Sequence, residues 1–280
     1  MNGYRYKALL SSTTRITGGV LFGVFVVLFL LYMFQEKLIF FPQKISEEEA
    51  EKIVKRFPNV ESISIRTTDN ITLRGWLVKT SNLQKSPLII YFGGNAEEVS
   101  YLIHEAEKFD GWSLALINYR GYGLSEGKPG EKILYSDAIS LYDCFVTRED
   151  IDSKRIIVMG RSLGTGVAVY LAQMRQVAAV ILVSPYDSLV SLAKGIFPFL
   201  PVRLILNHRF DSLSRAPSIR VPLLAIVAEG DTIIPALHSE KLVEKWGGEH
   251  SLKVIKGEDH NTIHEDAIYW KTIQEFLSRF

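Results

Sequence analysis

The hydrophobic pattern changes character along this chain. From Ile16 to Phe34 it is unbroken, and ITGGVLFGVFVVLFLLYMF carries no charge. As a helix rising ~1.5 Å per residue, this run reaches about 30 Å, the hydrocarbon thickness of a bilayer. A signal peptide has a shorter apolar region, about 7–15 residues, closed by a small-residue cleavage site. Here the run passes into Gln35-Glu36-Lys37-Leu38-Ile39-Phe40-Phe41-Pro42 with no A-x-A-like pattern. A core helix would show a polar stripe, and none is present. The reading is an uncleaved transmembrane anchor over 16–34. Gly19 and Gly23 stand at GxxxG spacing, read as ordinary glycine usage in a membrane helix rather than as a dimer seam.

Beyond the anchor the period shortens. Glu61–Arg66 and Ile71–Thr80 alternate around Asp69-Asn70, as a hairpin does. Pro87–Phe92 (PLIIYF) is a continuous apolar run, expected of a strand covered on both faces. Further strands are predicted at Trp112–Asn118, Arg155–Met159, Val177–Val183, Leu223–Val227 and Leu252–Ile255. Helical spacing falls between them, at Ala96–Phe109, Glu131–Thr147 and Leu163–Arg175, and again from His264 to Phe280. Repeated β-then-α units predict an α/β fold: a mostly parallel sheet with helices on both faces, its active site at the carboxyl ends of the strands. The predicted organisation is an N-terminal tail over 1–15, the anchor over 16–34, a linker over 35–60 and one α/β domain over 61–280. Residues 184–220 break the rhythm with Phe197-Pro198-Phe199-Leu200-Pro201 and are read as a lid-like insert over the site.

Charge adds two points. The net charge of +1 argues against a nucleic-acid partner. Its distribution gives the anchor a direction: Arg5, Lys7 and Arg15 precede the span, while Glu36, Lys37, Lys44 and the acidic run Glu47–Glu49 follow it. The N-terminus is expected to stay cytoplasmic and the α/β domain to lie across the membrane. Cys144 is the only cysteine, so neither an internal disulfide nor a cysteine-rich metal site can form. No H-E-x-x-H or clustered histidine and carboxylate set calls for a metal, and no complete G-x-G-x-x-G calls for a dinucleotide; no cofactor is expected.

Gly160-Arg161-Ser162-Leu163-Gly164 matches G-x-S-x-G between an apolar strand and a helix, the context that a nucleophile elbow requires. A serine hydroxyl needs a base. Of six histidines, His260 lies in Gly257-Glu258-Asp259-His260-Asn261, directly after the last predicted strand and at the same sheet edge as Ser162. His104, His208, His238, His250 and His264 are read as surface residues. The base needs an orienting carboxylate. Asp231, in EGDTIIP after Leu223–Val227, completes the order Ser…Asp…His. Asp187, in SPYDS after Val177–Val183, reaches the same edge and competes; Asp231 is preferred because its loop comes one strand before that of His260. An oxyanion requires backbone donors. Leu163, after the nucleophile, and Asn95, in Gly93-Gly94-Asn95-Ala96 after Pro87–Phe92, are the candidates; Asn95 as a plain helix cap is compatible with that role. Tyr119-Arg120-Gly121-Tyr122-Gly123 reads equally as pocket wall or as a glycine turn with packing tyrosines.

Taken jointly, the anchor followed by EKLIFFPQ, then YFGGNA, NYRGYGLSEG, GRSLG, SPYDSL, EGDTIIP and GEDHNTI resemble the α/β-hydrolase superfamily. Within it the chain is similar to the membrane-anchored serine hydrolases of the alpha/beta hydrolase domain-containing protein 13 type. The resemblance runs from the anchor to the C-terminus and implies a Ser–Asp–His triad, which falls on Ser162, Asp231 and His260. Relatives often carry His-Gly-Asn-Ala in the oxyanion loop, where this chain has Gly93 in place of the histidine. Members span esterases, thioesterases, lipases and peptidases, so the resemblance leaves the substrate open.

The function expected from these residues is hydrolysis of an ester, thioester or amide through an acyl-enzyme on Ser162. The apolar insert beside a membrane anchor favours a small-molecule or lipid-like acyl substrate. The alternative is a catalytically silent hydrolase fold acting as a membrane-tethered binding or scaffold protein.

Overall fold

The computed structural model describes residues 2–80 and 84–280, with side chains from residue 17 onward except at 20 and 81–83. Helix α1 runs Asn2–Ile39, and its stretch Thr17–Ile39 is long and apolar enough to cross a membrane. Leu21, Phe22, Phe25 and Met33 are exposed along it, as a lipid-facing helix requires. The side chains of Arg5, Lys7 and Arg15 lie outside those described.

Eight strands among the described residues form one sheet in the order β1-β2-β4-β3-β5-β6-β7-β8. They are β1 Val60–Arg66, β2 Thr72–Val78, β3 Ser86–Phe92, β4 Ser113–Ile117, β5 Ile151–Arg161, β6 Ala179–Val183, β7 Leu223–Ala228 and β8 His250–Ile255. Only β2 runs against its neighbours; β4 to β8 are all parallel. The α/β class is therefore observed. The apolar runs in the parallel strands have a plain cause. Leu88 and Ile90 of β3 enter one core and Ile89 and Tyr91 the other, so alternation disappears where both faces are covered. Helices α3 (Glu131–Val146) and α4 (Leu163–Met174) pack one face, together with α7 (Ala236–Glu244). A 3-10 helix, Val99–Phe109, and α8 (Ala267–Leu277) pack the other.

The structure differs from the pattern reading in three places. The helix expected at 96–109 is a 3-10 helix over Val99–Phe109, burying Val99, Leu102, Ile103, Ala106 and Phe109. Strand β5 begins at Ile151, earlier than its apolar run; Ile151 pairs with Ser86 across a register shift, and Asp152–Lys154 extend the strand without burial. Residues 35–60, read as linker, contain α2 (Glu47–Arg56), opened by a capping box in which Ser46 and Glu49 satisfy each other's backbone N–H groups. The acidic run after α1 is thus the first turn of a helix, where negative charge meets the positive end of the dipole.

Candidate active site

Strand β5 ends in the Gly160–Gly164 turn, and Ser162 takes a left-handed backbone there, with φ of 50° and ψ of −120°. Such a conformation costs an L residue roughly 1–3 kcal/mol, so the surroundings must impose it. They do so by proximity. A Cβ on Gly160 would lie 2.5 Å from the Gly164 carbonyl oxygen, and one on Gly164 would lie 2.0 Å from the Phe92 carbonyl oxygen. Only hydrogen fits at either place. The Ser162 N–H donates to the Val183 carbonyl (2.9 Å), and its own carbonyl accepts from the Thr165 N–H and hydroxyl.

The β8–α8 loop brings His260 to this turn. Its Nε2 stands 3.1 Å from Ser162 Oγ, and its Nδ1 stands 2.7 Å from Asp231 Oδ2. Asp259 shapes the loop by accepting from the Asn261 and Thr262 N–H groups. Asp231 Oδ1 accepts from the Ile233 and Ile234 N–H groups at 3.0 and 2.7 Å, which locks the other oxygen onto the ring. Burial opposes charge on Asp231, yet the His260 ring and the Ile234 N–H outweigh it and hold the carboxyl below its ordinary range. Asp187, the competing acid, is engaged elsewhere: its Oδ1 lies 2.8 Å from His238 Nδ1 and accepts from the Ser188 N–H. His238 and His208 are therefore not the surface residues the sequence suggested. Both are largely buried, and His208 Nδ1 accepts from the Glu131 N–H. The buried His208 ring is disfavoured as a cation.

The Gly93–Asn95 loop is fastened from behind at four points. Tyr119 hydroxyl donates to the Gly93 carbonyl (2.9 Å), and the Gly94 N–H donates to Glu97 Oε2 (2.7 Å). The Asn95 carbonyl accepts from the Tyr122 hydroxyl (2.6 Å) and the Phe41 N–H (2.9 Å). Asn95 and Leu163 both stand beside Ser162, and Leu163, first residue of α4, has an N–H that no helical carbonyl can reach. Sequence reasoning missed Glu97, Tyr119 and Tyr122 as the residues that hold this loop. Glu97 also accepts from Tyr91 hydroxyl and pairs with Arg161 at 3.2 Å, and Arg161 donates on to the His260 carbonyl (3.0 Å). One buried ion pair thereby links the donor loop, the serine turn and the histidine loop.

Comparison with known proteins fits this geometry. The sequence profile described as serine aminopeptidase, S33, matches residues 84–203. An uncharacterised protein of Mycobacterium tuberculosis, Rv2307c, is 32% identical over 256 residues, covering 90% of each chain. The chain belongs to the α/β-hydrolase superfamily. The superfamily member WAV2 of Arabidopsis thaliana, an alpha/beta hydrolase domain-containing protein, is 27% identical over 278 residues and 90% of each chain. The uncharacterised membrane protein YNL320W of Saccharomyces cerevisiae is 32% identical over 232 residues, 78% of this chain and 79% of its own. Among solved structures, the Pyrococcus furiosus esterase Pf2001 superposes with a TM-score of 0.68 at 22% identity, over 86% of this chain and 99% of that one; the likeness is one of fold.

In this hydrolase fold the segment 184–220 forms α5 (Leu189–Ile196) and α6 (Val202–Ile205), which stand over the serine. A cavity of about 240 Å³ opens at Ser162 between them and the sheet edge. Asn95 and Leu163 lie at its floor, Leu189 and Leu192 in its roof, and Ile233 at its side. The wall is almost wholly apolar, and part of it, Leu38 and Ile39, comes from the end of α1.

Proposed function

We propose that the protein is a membrane-anchored serine hydrolase that transfers an acyl group to water through an acyl-enzyme on Ser162. The observation that carries this reading is the unbroken contact from Ser162 Oγ through the His260 ring to Asp231, opening on an apolar cavity. With the proton on Nδ1, His260 donates to Asp231 and leaves Nε2 to accept from the serine hydroxyl. Oγ attacks the carbonyl carbon of an ester, thioester or amide as its proton passes to Nε2. The Asn95 and Leu163 N–H groups receive the oxyanion. The bond to the leaving group breaks, and that group takes the proton from His260. A water molecule then gives a proton to His260 and adds to the acyl carbon, and Ser162 regains its proton as the acid departs. The apolar lining favours an acyl or other hydrocarbon substrate.

Membrane attachment through Thr17–Ile39 is supported by the length and exposure of that helix and by the name of the yeast relative. The basic excess before the span keeps the N-terminus cytoplasmic and sets the catalytic domain on the far side. An anchor followed by a hydrolase domain resembles the membrane-anchored hydrolases similar to alpha/beta hydrolase domain-containing protein 13. The test is labelling with a fluorophosphonate, which should modify the wild type and not Ser162→Ala. A folded wild type that never labels would turn the assignment towards a silent, binding-only hydrolase fold.

A further inference from the structure

The end of the anchor is a wall of the site. Leu38 and Ile39 line both the Ser162 cavity and a second apolar cleft of about 240 Å³. The two clefts also share Ala193, Phe197 and Leu206, so they form one groove, and beyond the shared part it is walled by Leu31, Leu200 and Ile205. From Leu38 to Leu31 the groove follows α1 for about 10 Å at ~1.5 Å per residue. Leu31 falls inside the uncharged run 16–34. In a membrane-spanning α1 the far end of the groove therefore lies at hydrocarbon depth. A pocket for a water-borne ester has no reason to extend along that helix.

Two further features fit a route through lipid. The lid leaves Ile196, Phe199 and Leu204 at 66%, 97% and 85% exposure, with the cations Lys194 and Arg203 exposed beside them. Apolar tips rimmed by positive charge suit the headgroup boundary of a bilayer and are unfavourable in bulk water. Gln35, only 5% exposed, ties the lid to the anchor: its Oε1 accepts from the Asn207 N–H at 2.7 Å and its Nε2 donates to the Ile205 carbonyl at 3.3 Å. A buried amide needs such partners, and these ones hold α1 and the lid together as two sides of the groove.

We propose that the groove draws the acyl chain of a membrane lipid sideways out of the bilayer, so that the anchor helix is part of the substrate site. The proposal rests on the acyl-transfer reading above and adds the source and path of the substrate. The carbonyl sits at Ser162 and the chain lies past Leu38 with its tail towards Leu31.

The test uses the full chain in phosphatidylcholine vesicles with p-nitrophenyl butyrate and p-nitrophenyl dodecanoate, all rates expressed per site labelled by a small fluorophosphonate. Initial dodecanoate turnover should be faster when the ester is preloaded in the enzyme's own vesicles than when the same amount is preloaded in separate enzyme-free vesicles. Leu31→Trp, which fills the far end, should lower the dodecanoate-to-butyrate ratio of kcat/KM at least tenfold. Ile205→Trp on the opposite wall should do the same and serves if the first variant yields no labelled sites. A wild type that labels and turns over butyrate, with initial dodecanoate turnover equal from its own and from separate vesicles or a ratio unmoved in both variants, overturns the groove and leaves the hydrolase intact. A wild type that never labels removes both.

Discussion

Replacing Glu97 by Gln keeps the shape of the side chain and removes its charge, which makes it a sharp probe of how the donor loop is held. Glu97 and Arg161 are 8% and 19% exposed at the side chain and 3.2 Å apart. Removing one partner of a buried pair costs about 3–5 kcal/mol. Arg161 keeps its bond to the His260 carbonyl and glutamine keeps one acceptor, so roughly 2–3 kcal/mol is expected here. For a domain of this size that lowers Tm by about 4–12 °C. The catalytic effect follows from the loop. Loss of an oxyanion donor lowers kcat by about 10²–10³. Glu97 supplies one of four fastenings, and the bonds from Tyr119, Tyr122 and Phe41 remain, so about tenfold is the expected fall. KM should move far less, since the oxyanion exists only after attack. The assay is steady-state hydrolysis of p-nitrophenyl butyrate alongside urea unfolding. Unchanged kcat with an unchanged unfolding midpoint would refute the reasoning, as would a rise in KM alone.

Arg120 forks between Asp137, at 2.6 and 2.7 Å, and Asp69. Arg120→Met should lose about 3–5 kcal/mol at pH 7 because Asp137 is left buried without its cation. Burial already pushes the Asp137 carboxyl up against the pull of Arg120. Without Arg120 the folded state binds its proton more tightly than the unfolded one, so the deficit should shrink from pH 7 to pH 5; a deficit constant with pH counts against this account. Arg148 holds Asp150 well below the carboxylate range, and it also lowers Glu61 against the effect of burial. The stability these acids add is present above their ordinary range near pH 4 and is lost as pH falls through their depressed values. Arg148→Met should therefore cost about 1 kcal/mol at pH 7, reduced by partial exposure, and progressively less as pH falls from about 4 towards about 2, as followed by thermal melts across pH. Asp231→Ala should lower kcat by roughly 10⁴, whereas Asp187→Ala, which frees His238, should change stability more than rate. The opposite order in fluorophosphonate labelling rates would reassign the acid.

Much of this protein is written locally. The apolar run of α1, the two-faced strands and the G-x-S-x-G turn depend on neighbours a few residues apart, so periodicity and residue size were enough to find them. The capping box at Ser46 and Glu49 is equally local and was legible, though the acidic run beside it drew attention to charge instead. The competing aspartates mark the limit. Asp187 and Asp231 both follow a parallel strand at the same sheet edge, and no local pattern separates them. The order β6-β7-β8 does, because it lays the loop after β7 against the loop after β8 and leaves Asp187 to His238. Tyr119 and Tyr122 are of the same kind, since a hydroxyl from the loop after β4 reaches the turn after β3 only once those strands pair. So is the packing of α1, a helix set apart in sequence by its hydrophobicity, against the segment 184–220 some 170 residues later. Sequence alone determined most of the elements and which residues each one presents, because those rest on short-range sterics and hydrophobic period. Which side chains meet was decided by sheet order and by the packing of α1 on the lid, since contacts between distant segments are a property of the assembled layers.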